Sequence, residues 1–241
     1  MSVTPTLKAC DAALFDLDGV LTPTADVHMR AWSQLFNEYL PTRGVAEPYT
    51  DADYFAYVDG KPRYDGVRSF LASRGIVLPD GTPQDRGSIE SVCGLGNRKN
   101  AVFSAVLAAD GVTPYPGSVR LLDRLARDGV RVAVVSSSAN AEAVLTAAGL
   151  RDRFEVVVDG VVARRESLPG KPAPDTFLRA AALLGVPADR ASVFEDAISG
   201  VAAGHAGHFA EVVGVDRGVG ADALRAAGAD LVVSDLGELV P

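Results

Sequence analysis

Cysteine is nearly missing from this chain. Cys10 and Cys93 are the two among 241 residues, too few and too far apart for a disulfide framework, and they suit a reducing cytoplasm. No segment approaches the roughly 18 uninterrupted apolar residues of a membrane helix, so no membrane partner is expected. The stretch from Met1 to Asp11 lacks a basic segment followed by an apolar one, which argues against a secretory signal. No Asn-x-Ser/Thr acceptor occurs. Basic residues are in deficit: 23 Lys and Arg face 31 Asp and Glu, a formal net charge of −8. A duplex-binding protein shows the opposite balance, so nucleic acid is not an expected partner. A cytoplasmic monomer is the expectation.

With 48% hydrophobic and 22% charged residues, the chain has ordinary globular composition. Several short apolar runs end abruptly in polar residues. Ala12-Ala13-Leu14-Phe15 runs into Asp16-Leu17-Asp18-Gly19, and Val130 to Val135 into Ser136-Ser137-Ser138. Phe154 to Val158 ends at Asp159-Gly160, and Ala191 to Phe194 ends at Glu195-Asp196. These read as buried strands, with weaker ones at Glu211 to Val215 and Asp230 to Val233. Helical patterns at Val119 to Arg127, Ala139 to Ala148 and Pro174 to Leu184 separate them, with Gly149 and Gly185 as stops. Asp222 to Ala229 reads as a terminal amphipathic helix and Arg164-Arg165 as a charged loop. Such alternation predicts a parallel sheet covered by helices on both faces. The segment from about Thr22 to Asp110 breaks it. It carries helical patterns at His28 to Tyr39, Tyr64 to Arg74 and Arg98 to Ala109 and no buried strand, as a helical insertion would.

In an open parallel sheet, ligands bind beyond the carboxyl ends of the strands. Three strands here end in Asp16/Asp18, Ser136 to Ser138, and Glu195/Asp196, and Lys171 stands in Gly170-Lys171-Pro172 before a helix leading to the fourth. Clustered carboxylates repel one another unless a cation joins them, and Mg²⁺ takes carboxylates together with phosphate oxygens. Asp16 then stays ionised as a nucleophile towards phosphorus. Lys171 and the Ser136 hydroxyl hold phosphoryl oxygens, and Asp18 protonates the leaving oxygen. Each feature also has a plain reading. Asp-Gly is a common turn signal, Glu195-Asp196 can cap a helix, and Lys171 can be a solvated loop residue. His205 and His208 lack a third ligand at suitable spacing and read as surface residues.

Asp16-Leu17-Asp18-Gly19-Val20-Leu21-Thr22, Ser136, Gly170-Lys171-Pro172 and Glu195-Asp196 together resemble, in order, the four motifs of the haloacid dehalogenase superfamily. The resemblance spans essentially the whole chain. Within the superfamily it is closest to the β-phosphoglucomutase-like group. Thr22 to Trp32 is similar to that group's linker and first cap helix, Gly60-Lys61-Pro62-Arg63 to its cap loop, and Arg98-Lys99-Asn100 to a second cap motif. The resemblance implies an α/β fold: a Rossmann-like parallel sheet core, 1–21 and 111–241, with an inserted α-helical cap, 22–110. It implies Mg²⁺ held by Asp16, the Asp18 backbone carbonyl, Glu195 and Asp196, and catalysis by Asp16, Asp18, Lys171 and Ser136. His28, Trp32, Gly60, Arg63, Lys99, Ser137, Ser138 and Asn140 are the implied residues binding a phosphorylated sugar. The implied reaction interconverts β-glucose 1-phosphate and glucose 6-phosphate through an aspartyl-phosphate and glucose 1,6-bisphosphate; the alternative is a Mg²⁺-dependent sugar-phosphate phosphatase. One position departs from the group: Ala139 stands where its mutases often carry lysine.

Overall fold

The computed structural model describes residues 7–240. Strand β1 (Ala12–Phe15) comes first, followed by helices α1 (Thr24–Tyr39), a single turn α2 (Asp51–Asp53), α3 (Arg63–Ser73) and α4 (Val92–Asp110). Then come α5 (Pro116–Arg127), β2 (Arg131–Val135), α6 (Ala141–Ala147), β3 (Val156–Val158), α7 (Gly160–Arg165) and α8 (Asp175–Leu184). The chain ends with β4 (Ala191–Glu195), α9 (Ile198–Ala206), β5 (Glu211–Val215), α10 (Ala221–Ala226) and β6 (Leu231–Val233). Two compact units result: the chain up to Pro23 and from Val112 onward, and the inserted Thr24–Gly111. Among the described residues no helix is long and apolar enough to cross a membrane.

The six strands form one sheet in the order β3-β2-β1-β4-β5-β6, and every pairing is parallel. Parallel strands need crossover connections, and these put helices over the faces, so the central strands read as unbroken apolar runs. All four residues of β1 are fully buried. Phe15 stacks on Phe194 of β4 with ring centroids 4.5 Å apart, which locks the two central strands side by side at their carboxyl ends. Strand order reverses between these two, and a crevice opens beyond their ends at such a point.

Elements expected from apolar periodicity are present, and the differences sit at their ends. Helix α4 starts at Val92 rather than near Arg98, because the Ser91 hydroxyl caps it by accepting from the Gly94 N–H at 2.9 Å. Helix α1 starts at Thr24 rather than His28. Arg164 and Arg165, expected in a loop, form the last turn of α7. That helix exists because Asp159 Oδ1 accepts from the Val161 and Val162 N–H groups, both at 2.9 Å. The terminal helix is shorter than expected, Ala221–Ala226.

The inserted unit has its own core of Leu35, Phe36, Tyr49, Phe70, Leu71 and neighbours. Beneath it, Arg74 Nη2 holds both Asp53 carboxylate oxygens at 2.9 Å, while Asp53 closes a capping box with Thr50.

Candidate active site

Asp16 directly follows β1, and its N–H donates to the Phe194 carbonyl at 2.9 Å, so the sheet ladder fixes its backbone. Its side chain is buried and accepts from Lys171 Nζ at 2.5 Å. Lys171 is 3% exposed. Its ammonium also donates to Glu195 Oε1 at 2.6 Å and to the Val135 carbonyl at 3.2 Å, which uses all three donors. The ends of β1, β2 and β4 are thereby tied to one charge. Burial opposes charge on Lys171, but Asp16 and Glu195 outweigh it and hold the ammonium above its ordinary range. Burial also pushes the Asp16 carboxyl well up; Lys171 pulls it back, and Glu195 and Asp18 push it up again.

Two glycines make this packing possible. A Cβ on Gly200, in α9, would lie 1.7 Å from Glu195 Oε1, so only glycine lets the carboxylate fold over towards Lys171. A Cβ on Gly19 would lie 1.9 Å from Asp196 Oδ2, so the Asp196 carboxylate fills the space that a side chain in the β1 turn would need. Gly19 also has φ +89°, a conformation natural to glycine. Asp196 and Asp18 are half-buried. The Ser136 hydroxyl reaches Asp18 Oδ2 over a long 3.5 Å and accepts from the Ser138 N–H at 3.1 Å. The Ser138 hydroxyl accepts from the Asn140 N–H at 3.2 Å. Behind this loop, the Gly160 N–H donates to the Ser138 carbonyl at 3.0 Å, and a Cβ on Gly160 would lie 2.7 Å from the Ser137 carbonyl oxygen. Sequence reading did not assign Gly200, Asp159 or Gly160. Asp159-Gly160 was visible as a polar strand end; Gly200 left no signal, being one of two glycines in a helix rich in small residues.

Four carboxylates here, Asp16, Asp18, Glu195 and Asp196, accompany one ammonium. Among the described residues no three His, Cys, Asp or Glu side chains form a ready-made metal cage. That donor set fits a hard cation which takes one or two carboxylates and completes its shell with water and phosphate oxygens. Glu195 accepts at both oxygens from protein donors, Oε1 from Lys171 and Oε2 from the Ala197 N–H at 2.6 Å.

The remaining candidates lie in the inserted unit. Lys99 of α4 is 2% exposed and hydrogen-bonds His28 Nδ1. Its Nζ sits 4.9 Å from the Trp32 ring centroid and 5.1 Å from that of Phe103, and His28 stacks on Phe103 at 4.1 Å. An ammonium donor requires the lone pair on Nδ1, which puts the neutral imidazole proton on Nε2. Trp32 itself is buried in the core of this unit and stacks on Phe36. Arg63 opens α3 and donates to Asn97 Oδ1 at 3.2 Å and Asn100 Oδ1 at 2.7 Å. Gly96 makes room for it, since a Cβ there would meet the Tyr64 ring at 2.9 Å and Arg63 Cδ at 3.2 Å. Gly60 turns the preceding loop with φ +69°.

A model of the haloacid dehalogenase-like hydrolase family matches residues 10–208. The chain belongs to this family. Members carry an aspartate nucleophile, so the chain is an enzyme of that kind. A β-phosphoglucomutase of Mycobacterium tuberculosis is 56% identical over 239 residues, covering 95% of this chain and 91% of its own length. One from Bacillus subtilis is 34% identical over 233 residues, covering 95% and 91%. The crystal structure of a β-phosphoglucomutase from Clostridium difficile is similar with a TM-score of 0.76 at 25% identity, covering 95% of this chain and 93% of that one.

Proposed function

We propose that the chain is a β-phosphoglucomutase, interconverting β-glucose 1-phosphate and glucose 6-phosphate. The observation that carries this reading is the 56% identity to an enzyme of that name across 95% of the chain; the core geometry alone would serve any aspartyl-phosphate enzyme. Asp16 is the nucleophile. One of its carboxylate oxygens attacks phosphorus, the bond from phosphorus to the sugar oxygen breaks, and Asp18 gives that oxygen a proton. In the reverse step Asp18 takes the proton from the sugar hydroxyl that attacks the aspartyl-phosphate. The cycle phosphorylates the 6-OH of β-glucose 1-phosphate, and glucose 1,6-bisphosphate then reorients and returns its C1 phosphate to Asp16. Lys171 and Ser136 offset charge on the transferring group, and Ser137, Ser138 and Asn140 line its loop.

Magnesium, when bound, supplies charge neutralisation at the phosphoryl oxygens. Asp16, the Asp18 backbone carbonyl and Asp196 are the residues we assign to hold it. Glu195 is assigned to it as well; its oxygens also accept from Lys171 and the Ala197 N–H, which leaves lone pairs on the carboxylate, so it positions the lysine at the same time. In the inserted unit, Arg63 is assigned to the phosphate that is not being transferred, with Gly60 shaping its loop. Lys99, enclosed by Trp32 and Phe103, is assigned to orienting His28 rather than to gripping phosphate directly.

Phosphorus NMR on the purified protein tests the reading, with Mg²⁺, β-glucose 1-phosphate and a trace of glucose 1,6-bisphosphate. The expected result is glucose 6-phosphate with little inorganic phosphate. Steady release of inorganic phosphate makes the enzyme a phosphatase instead, and Ala139 is then the first position to examine.

A further inference from the structure

Arg217 stands in the loop after β5, outside every motif discussed so far. Its Nε donates to the Gly19 carbonyl at 2.7 Å and its Nη1 to the Ser234 carbonyl at 2.9 Å. The guanidinium lies over the Tyr115 ring, with Cζ 3.9 Å from the centroid. Its Nη2 is buried and meets no protein acceptor among the described residues. We propose that Arg217 is a positioning residue for phosphoryl transfer, holding the Gly19 peptide and through it the turn that carries Asp16 and Asp18. The proposal rests on the reading of that turn as the transfer site.

The turn is largely self-closed. Gly19 N–H donates to the Thr22 carbonyl at 2.7 Å, and Leu21 and Thr22 both donate to the Leu17 carbonyl at 3.0 Å. Three supports reach its carbonyls from elsewhere in the core. Tyr115 N–H donates to the Leu21 carbonyl at 3.0 Å, the Ser118 hydroxyl donates to the Val20 carbonyl at 2.7 Å, and Arg217 holds the carbonyl of Gly19. The first and the last are joined, because the Arg217 guanidinium stacks on the Tyr115 ring. Gly19 is the sensitive point: it follows Asp18 directly, and the Asp196 carboxylate occupies the place of its missing Cβ. A rotation of this peptide would re-aim Asp18 and displace Asp196 together.

The side chain suits this task and little else. Arginine has a rigid planar fork and stacks on aromatic faces, whereas lysine offers a single point charge on a flexible stem.

Three variants, Arg217→Met, Arg217→Lys and Arg217→Ala, test the proposal with two readouts. The first is amide hydrogen exchange over residues 17–22 in the absence of substrate and Mg²⁺. In Arg217→Met this segment should exchange faster while the remaining core strands are unchanged, a local rather than global opening. The second is kinetics on the sugar phosphate and on a small aryl phosphate. For misplaced reacting groups, kcat should fall by about 10²-fold on both substrates, with KM within about twofold. Arg217→Lys should remain slow, and added guanidinium ion should restore part of the kcat of Arg217→Ala. Unchanged exchange at 17–22, or kcat per folded molecule equal to the parent's, would overturn the proposal. If the parent protein fails to turn over the sugar phosphate, the mutase reading fails alone; exchange and aryl phosphate kinetics still decide the role of Arg217.

Discussion

Among the described residues the core and the inserted unit each bury a lysine, and they solve the problem in different ways. Lys171 is surrounded by opposite charge, Asp16 and Glu195, with a backbone carbonyl as third acceptor. Lys99 is set against a ring nitrogen of His28 and the faces of Trp32 and Phe103. A buried charge costs much unless it is paired and hydrogen-bonded; Lys171 Nζ also lies 4.9 Å from the Phe177 ring centroid, but carboxylates dominate its surroundings. Carboxylate pairing is strong and stiff, which suits a group that must hold a reacting centre in place. Aromatic faces attract a cation more weakly and less directionally. On the proposed function, the core cluster serves both folding and catalysis, while the Lys99 cage bears mainly on how His28 is presented.

The largest effect should come from breaking the core cluster. Lys171→Met leaves two buried carboxylates without their cation, and removing one partner of a buried pair costs about 3–5 kcal/mol. Urea denaturation should report a loss of that size, and phosphorus NMR should detect no turnover. A variant of parental stability would show that the cluster is not the keystone its geometry describes. Next comes Asp18→Asn, in which the acid/base group is lost while its shape is kept. Turnover should drop by about 10²–10⁴-fold, and the denaturation midpoint should stay where it is; a rate near the parent's would move the proton-transfer role elsewhere.

Lys99→Met sharpens the comparison between the two lysines. It removes a cation–π contact of roughly 0.5–2 kcal/mol together with the hydrogen bond to His28 Nδ1, so the loss should be smaller than that of Lys171→Met. Denaturation of the two methionine variants side by side decides the point, and equal losses would erase the distinction drawn here. The smallest effect belongs to Tyr49 in the core of the inserted unit. Its ring packs against Phe36 and Phe70, burial pushes its phenol far up, and its hydroxyl meets no protein partner among the described residues. Tyr49→Phe should leave stability unchanged or raise it by up to about 1 kcal/mol; a clear loss would reveal a partner for that hydroxyl.

Much of this was legible before any coordinates. Apolar runs of four to six residues ending in Asp, Ser or Glu can be satisfied by few arrangements other than buried parallel strands with polar carboxyl ends. The alternation of those runs with helical patterns dictated the layering, and its interruption from Thr22 to Asp110 read as an insertion. Asp16, Ser136 and Glu195 stood out because each is a polar group placed where an apolar run stops, and Lys171 because it stands in Gly170-Lys171-Pro172 before the helix leading to β4. Helix ends were less legible, since the caps at Ser91 and Asp159 depend on which backbone N–H groups a side chain reaches.

Only the tertiary structure decided the partnerships. Lys171 and Asp16 are 155 residues apart in the chain, and no local pattern states that Glu195 will meet Lys171 with one oxygen and the Ala197 N–H with the other. Nor does composition reveal that Gly19 and Gly200 are glycines because carboxylates occupy the volume of their missing side chains. Arg217 is the extreme case. A lone arginine in a loop carries no periodicity and no motif, and its bonds to Gly19 and Ser234 exist only once β5 and β6 lie beside the strands they extend. Local sequence determines which backbone conformations and faces are favourable, because those depend on near neighbours. Which distant groups then share one small volume depends on how the whole sheet closes.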